Sequence, residues 1–478
     1  MEIASVRTEP EGQNRKRKNQ TETKLKLNYM NRTLYEFNSS QDIINLQTKY
    51  TLFKRVANIL FSVTFDEKVD WSLMKKAINI LIERNDCLRI VFVKKDGKNM
   101  QYFTESKTIE KIPYKEFDTV SKMTSFINCF RKKMADIYKG ETIIPVFAKN
   151  PAGKDMLIIK VSHFVADTFA IGLLVDDLCA IYKALKNGTE MPAPKGKFED
   201  VLKKDIEFKN NPEAVEKDRE FFKEYFSTMH PARPIYCGLH GDNNDRWLAQ
   251  KRKGNISLPY AFIKCDTEGY KFTIPAAITE KVEAWCTATQ LPISSFFYYC
   301  YSVAASLING KAPYQCPLEL LNCRATMAER KCGGTKVQSI AVYTTVDYNK
   351  SFNQNVKELF EERQQICRHT RLTYLENEKF QHDNWNYSML SQITSFCYSF
   401  IPMADPEGVK VQVLSNGKGA LIDYVAFMYD INTKEINVMH DIQYRQVTPQ
   451  QLVDFHNLLT RVIETVLANP ETELGRLF

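Results

Sequence analysis

A histidine and an aspartate four residues apart, His163 and Asp167, are the residues of this sequence best placed to do chemistry. The apolar, β-branched run of residues 156–162 predicts a buried strand that ends at the histidine, and the apolar-periodic stretch after the aspartate predicts a helix. An imidazole fixed at a strand end that faces a cleft can take a proton from a substrate. His163 is therefore a candidate general base.

The spacing alone leaves the role of His163 open, because a core histidine that caps a strand gives the same pattern. Catalysis through a protein nucleophile has less support. The sequence has no Gly-x-Ser-x-Gly segment. The cysteine nearest to a histidine in the sequence is Cys367, two residues before His369, within a predicted amphipathic helix that we interpret as structural.

The elements that must position these residues fall into two lobes, since 478 residues exceed a single ordinary domain. We expect a disordered basic arm at 1–27, a first lobe with His163 at 28–191, an interlobe connection at 192–260 and a second lobe at 261–478. Alternating helices and strands predict an α/β fold in which each lobe is a mixed sheet covered by helices.

Several individual elements follow from local patterns. A helix is predicted over Trp71–Arg84 with Asp70 as its N-terminal cap, and another over residues 212–225 of the connection. Residues 88–94 and 339–346 each predict one continuous strand.

Four landmarks, in order, resemble the condensation-domain and CoA-dependent acyltransferase superfamily, which has the chloramphenicol-acetyltransferase-like fold. Residues 69–92 are similar to its first long helix and the following strand, and 155–185 to its strand, active-site loop and helix. Residues 320–324 are similar to its Asn-x-Arg element, and 467–474 to its closing turn.

The resemblance implies two lobes of one topology with an active-site tunnel between them. In that tunnel an acyl group passes directly from a thioester to an amine or alcohol. His163 and Asp167 form the implied catalytic motif, with His163 as the base. Asp167 is implied to turn away from the tunnel and to form a structural salt bridge with Arg324. A solvated loop charge is the alternative interpretation of Arg324.

Two residues depart from the family pattern, since Ser162 replaces a first histidine and Thr168 replaces a glycine. Thr168 either narrows the active-site loop or caps the following helix with its hydroxyl. Candidate substrate-channel residues, implied by the resemblance, are Ser162, Thr168, Asn322, Gly333 and Gly334.

Composition sets the remaining expectations. The net charge of +8 suits a phosphopantetheine-bearing donor, and the twelve scattered cysteines indicate reduced thiols and no metal site. The sequence has no apolar stretch long enough for a membrane span and no signal-peptide pattern, so we expect a cytoplasmic location. We also expect a monomer without nucleic-acid partners.

Two functions follow as hypotheses. The first is a stand-alone acyltransferase or condensation enzyme without a permanently bound cofactor. Its donor substrate is acyl-CoA or a phosphopantetheinyl carrier protein acting in trans, and its acceptor is a small amine or alcohol. The alternative is a non-catalytic protein of the same fold that docks a carrier protein or another partner.

Overall fold

The structure, a computed structural model, describes residues 31–50, 57–229, 267–315, 317–370, 372, 374–385, 396–415, 417, 423–443 and 448–478. The predicted basic arm and residues 230–260 of the predicted connection lie outside this part of the chain. The assigned domain boundaries stay predictions.

The helices of the described residues are, in chain order, α1 Ser39–Tyr50, α2 Trp71–Arg84, α3 Val120–Lys132, α4 Thr168–Asn187, α5 Phe198–Lys209, α6 Pro212–Thr228, α7 Ala276–Thr289, α8 Ile293–Ile308, α9 Met327–Arg330, α10 Phe352–Arg368, α11 Tyr374–Trp385, α12 Pro449–Ala468 and α13 Leu474–Leu477.

The strands are β1 Tyr35–Glu36, β2 Asn58–Phe65, β3 Ile90–Lys95, β4 Lys98–Phe103, β5 Tyr114–Glu116, β6 Ile143–Lys149, β7 Asp155–Ser162, β8 Thr267–Ile274, β9 Tyr314–Gln315, β10 Leu318–Asn322, β11 Val337–Ala341, β12 Thr344–Thr345, β13 Cys397–Met403, β14 Val409–Leu414, β15 Asp423–Asp430 and β16 Ile436–Gln443.

Helix α2 shows why local sequence fixes many of these bounds. Asp70 precedes the helix, and its carboxylate accepts hydrogen bonds from the backbone N–H groups of Ser72 and Leu73, which have no partner inside the helix. The buried residues of α2 recur at helical spacing: Met74, Ala77, Ile78, Leu81 and Ile82. The predicted helix and its cap are both confirmed.

Two mixed sheets organise the two lobes, as predicted. The first has the order β14-β2-β7-β6-β5 and the second β11-β10-β13-β15-β16-β8. Each sheet combines antiparallel with parallel pairs, for example β5–β6 in the first and β13–β15 in the second. Strand β14 comes late in the sequence, yet it pairs antiparallel with β2 of the first sheet. A strand from the second half of the chain thus forms backbone hydrogen bonds within the sheet of the first lobe, which joins the two lobes.

Each lobe has its own large hydrophobic core. One core includes Leu157, Ile159 and Val161 of β7 together with the buried face of α2. The other includes Phe296, Tyr298 and most of the rest of α8. The strand that leads to His163 is thus held rigidly by packing on its sheet.

Two predicted strands were wrong in their extent, and one helix was not predicted. Residues 86–89 form a 3₁₀ turn before β3, because the Asp86 carboxylate accepts backbone hydrogen bonds from Phe198 and Glu199 at the start of α5. Helix α5 itself lies in the connection, where only the helix at 212–225 was predicted. The strand predicted at 339–346 divides into β11 and β12, and β12 pairs with β9 in a separate sheet.

Within the described ranges, no individual helix has both the length and the apolar character to cross a bilayer. Helices α7 and α8, bent by 112° where they meet, satisfy the two criteria when taken together.

Candidate active site

His163 follows the last residue of β7, and its ring is half-buried. Its backbone N–H donates to the Ala57 carbonyl at 2.6 Å, and its ring Nδ1 lies 3.0 Å from the Ala166 carbonyl oxygen. A carbonyl only accepts hydrogen bonds, so Nδ1 carries the proton in the neutral ring. The lone pair on Nε2 is then available to a substrate.

Burial of the ring lowers the pKa of His163 below its ordinary value of 6.5, and the Asp167 carboxylate opposes that shift. Burial therefore favours the neutral form of the imidazole. A neutral imidazole with an available Nε2 is the form that a general base requires.

Asp167 caps the N-terminus of α4. Its Oδ1 accepts from the Ala170 N–H at 2.8 Å, and its Oδ2 accepts from Arg324 Nη1 and from the Lys336 N–H, both at 2.8 Å. Both carboxylate oxygens already accept hydrogen bonds, so Asp167 is placed to hold the start of α4 and the Arg324 guanidinium, not to exchange protons. Of the two interpretations of Thr168, the helix cap is wrong by one residue, because Asp167 provides the cap and Thr168 begins the helix.

The side chain of Arg324 is fully buried, with 0% exposure, so the interpretation as a solvated loop charge is wrong. Besides Asp167, the guanidinium donates to Asn322 Oδ1 at 2.9 Å and to the Gly334 carbonyl at 2.7 Å. The Phe169 ring lies 4.8 Å from its central carbon, within cation–π range. The predicted salt bridge is present in the structure and joins α4 to the loop after β10.

A cavity of about 300 Å³ opens beside His163. Its polar lining includes Thr168, Asn322 and Asp167, and the Asp167 carboxylate oxygens bond Ala170, Arg324 and Lys336, which lie outside the lining. The remaining wall is mainly apolar and comes from both halves of the chain. It includes Ile171 and Val175 of α4, Leu320 of β10, Val337 of β11, residues 400–403 of β13, and Val411 and Val413 of β14.

Three candidate channel residues lie elsewhere. Ser162 lines a different cavity of about 740 Å³, since neighbouring residues of a strand face opposite sides. Gly333 and Gly334 are not among the described residues that line the His163 cavity. A Cβ on Gly333 would lie 2.5 Å from the Cys87 sulfur, and one on Gly334, where φ is +88°, would overlap the Phe198 ring. These glycines allow close packing between the lobes.

The cavity wall formed by β13 was not predicted from the sequence. The run from Phe396 to Ile401 is apolar and could have signalled a strand, but Pro402 argues against a central strand. Strand β14 was predicted correctly, but its pairing with β2, which places Val411 and Val413 on the cavity wall, is non-local.

Within the described part of the chain, no group of three or more His, Cys, Asp or Glu residues could hold a metal ion. The nine described cysteines are free thiols.

Two lobes joined by a crossover strand, with a histidine on a cavity between them, are the arrangement expected from the resemblance to condensation domains. Residues 31–383 match the condensation-domain family, and the chain belongs to that family. It is similar to surfactin synthase subunit 1 of Bacillus subtilis (strain 168), with 20% identity over 355 residues, and to bacitracin synthase 2 of Bacillus licheniformis, with 24% over 152. These matches cover 72% and 31% of this chain, but only 9% and 6% of the two synthases.

Solved structures show the same fold at low identity. The starter condensation domain of rhizomide synthetase, in a variant bound to C8-CoA, has a TM-score of 0.74 and 14% identity, covering 93% of this chain and 97% of that one. The first condensation domain of the calcium-dependent antibiotic synthetase, bound to a substrate analogue, has a TM-score of 0.75 and 13% identity, covering 93% and 98%. The condensation domain of the Monacolin K polyketide synthase has a TM-score of 0.75 and 11% identity, covering 92% of this chain and 99% of that one.

Proposed function

We propose that this protein transfers an acyl or aminoacyl group from a phosphopantetheine thioester directly to an amine or alcohol, with His163 as the general base. The observation that carries the proposal is the orientation of His163. Its Nδ1 is held by the Ala166 carbonyl, and the ring borders a cavity that both halves of the chain enclose. Nε2 is therefore the ring atom available to a substrate.

The reaction needs few protein groups. The acceptor nitrogen or oxygen attacks the thioester carbonyl carbon while its proton passes to Nε2 of His163. The tetrahedral intermediate then expels the thiolate, which takes the proton from the imidazolium, so the imidazole ends neutral. Holding both substrates in one cavity makes the attack effectively unimolecular. The base contributes about 10²–10⁴-fold.

Asp167 and Arg324 act as positioning residues in this proposal. Arg324 bonds the Gly334 carbonyl, Gly334 forms a parallel bridge with Ala166, and the Ala166 carbonyl holds the His163 ring. The buried ion pair thus fixes the direction of the imidazole through Gly334 and Ala166. None of these groups contacts the reacting atoms.

The donor class rests on family membership and on the neighbours. Residues 31–383 form a condensation domain by sequence, and one solved structure of the same fold holds C8-CoA. A net charge of +8 suits a phosphate-bearing donor. Both CoA and a carrier protein present the same thioester arm, so both belong in the test.

Product formation tests the proposal. The protein is incubated with a panel of acyl-CoA thioesters and acyl-loaded carrier proteins, together with pooled amines and alcohols, and mass spectrometry follows new amides and esters. We expect at least one protein-dependent product. A stable complex with a carrier protein, without any product across the panel, would instead favour the non-catalytic docking function.

The pH dependence of His163 can be measured without a substrate. Because burial lowers its pKa, the ring should titrate with a midpoint below 6.5 in NMR spectra of ¹³Cε1-labelled histidine, with His163→Ala used to assign the signal. The unfolded chain then binds the proton more readily, so this site adds stability above about pH 6.5 that is lost as the pH falls through the folded-state pKa. A midpoint at or above 6.5 would contradict the buried, neutral base.

A further inference from the structure

One face of α4 forms a wall of the His163 cavity. Thr168, Gly172 and Asp176 all line it, and their spacing of four residues places them in a row on one side of the helix. At about 1.5 Å per residue the row extends about 12 Å from the N-terminus of the helix. The cavity therefore runs lengthwise along α4, beginning near His163.

Gly172 has no structural reason to be glycine. It lies in the interior of a 20-residue helix, where glycine is the least favourable residue apart from proline. It is not among the described glycines with positive φ. A Cβ built on it meets no atom within 4 Å outside the local helix backbone, in contrast to Gly333 and Gly334. The space that a side chain would fill is the cavity itself.

The walls beyond Gly172 suit a hydrocarbon. They are mainly aliphatic and aromatic, and no lysine or arginine is among the described lining residues. Asp176 lies at the far end of the row and is exposed, and Lys195 acts on it electrostatically from outside the lining. An anionic group in the cavity would thus lose its water without gaining a cationic partner from the walls.

We propose that Gly172 keeps this passage open for the hydrocarbon chain of a substrate, and that the chain is uncharged. The cavity volume of about 300 Å³ equals roughly ten water molecules at about 30 Å³ each, so the chain has on the order of ten non-hydrogen atoms. That the chain belongs to a substrate rests on the proposed function. Its chemistry is the same whether the acyl donor or the amine acceptor carries it.

Calorimetric binding in a His163→Ala background tests the inference without turnover. The probes are butanoyl and decanoyl thioesters of N-acetylcysteamine, with butylamine and decylamine as the acceptor arm. In either the thioester pair or the amine pair, we expect the ten-carbon probe to bind at least about tenfold more tightly than the four-carbon probe. The pair that shows this preference identifies the substrate that carries the hydrocarbon chain. Gly172→Leu should abolish that preference. Ala180→Leu, which adds the same side chain on α4 outside the lining, should retain it.

Three further measurements complete the test. Gly172→Ala should raise the melting temperature by about one or two degrees, because it replaces a helix-interior glycine without a clash. A ten-carbon chain that ends in a carboxylate should bind at least about tenfold more weakly, and Asp176→Asn should reduce that penalty. An unchanged length preference in Gly172→Leu would overturn the inference. Chain binding without product in wild type would instead count against the proposed transferase function.

Discussion

Replacing His163 with alanine should reduce turnover by about 10²–10⁴-fold, because the acceptor then loses the group that takes its proton. The melting temperature should change little. The side chain borders a cavity, and the substitution removes one hydrogen bond, to the Ala166 carbonyl, worth about 1 kcal/mol. Single-turnover product formation, followed by mass spectrometry, and a thermal melt measure the two effects.

His369 offers the matched control. Its Nδ1 pairs with the buried Asp218 carboxylate at 2.9 Å, and its ring stacks on Phe221, so it ties the C-terminus of α10 to α6. His369→Ala should lower stability by about 1–3 kcal/mol by leaving that carboxylate unpaired, yet preserve turnover below the melting transition. Equal product from wild type and His163→Ala would remove His163 from the mechanism.

Local sequence was sufficient to predict the strand and helix that flank His163. The apolar run into His163 and the periodicity after Asp167 predict β7 and α4, and Asn187–Gly188 marks the end of that helix, where Gly188 has φ +64°. These signals depend on neighbouring residues only. Asp167 and Thr168 both have side chains suited to capping, so local pattern alone does not decide which of them is the cap.

Contacts between distant residues could not be predicted from local pattern. Asp167 and Arg324 are 157 residues apart, and only the family resemblance suggested their pairing. The adjacent Gly333 and Gly334 were assigned to the channel, but tertiary packing against Cys87 and Phe198 determines their role. Gly172 was not identified, because a glycine in a helix is informative only once the empty space beside it is known.

Removing the buried guanidinium should have the largest effect on stability. Arg324→Ala leaves the Asp167 carboxylate with two backbone donors but no counter-charge, and it leaves the Gly334 carbonyl without its Arg324 donor. Breaking a buried pair costs about 3–5 kcal/mol. We expect a loss of that order in urea unfolding. Arg324→Lys should be intermediate, because an ammonium keeps the charge but cannot form the planar set of hydrogen bonds.

An exposed ion pair supplies the control for charge removal. Lys186 lies 2.8 Å from Glu67, with the two side chains 45% and 81% exposed, so Lys186→Ala should cost at most about 1 kcal/mol. Turnover measurements separate the effect of Arg324 on the position of His163 from its effect on the stability of the protein. Because Arg324 acts on His163 through Gly334 and Ala166, the folded variant should also show a lower rate and a shifted His163 titration midpoint well below its melting temperature. An unchanged melting curve would contradict the structural role of the pair. A destabilised variant with unaltered rate and titration would limit the pair to holding the lobes together.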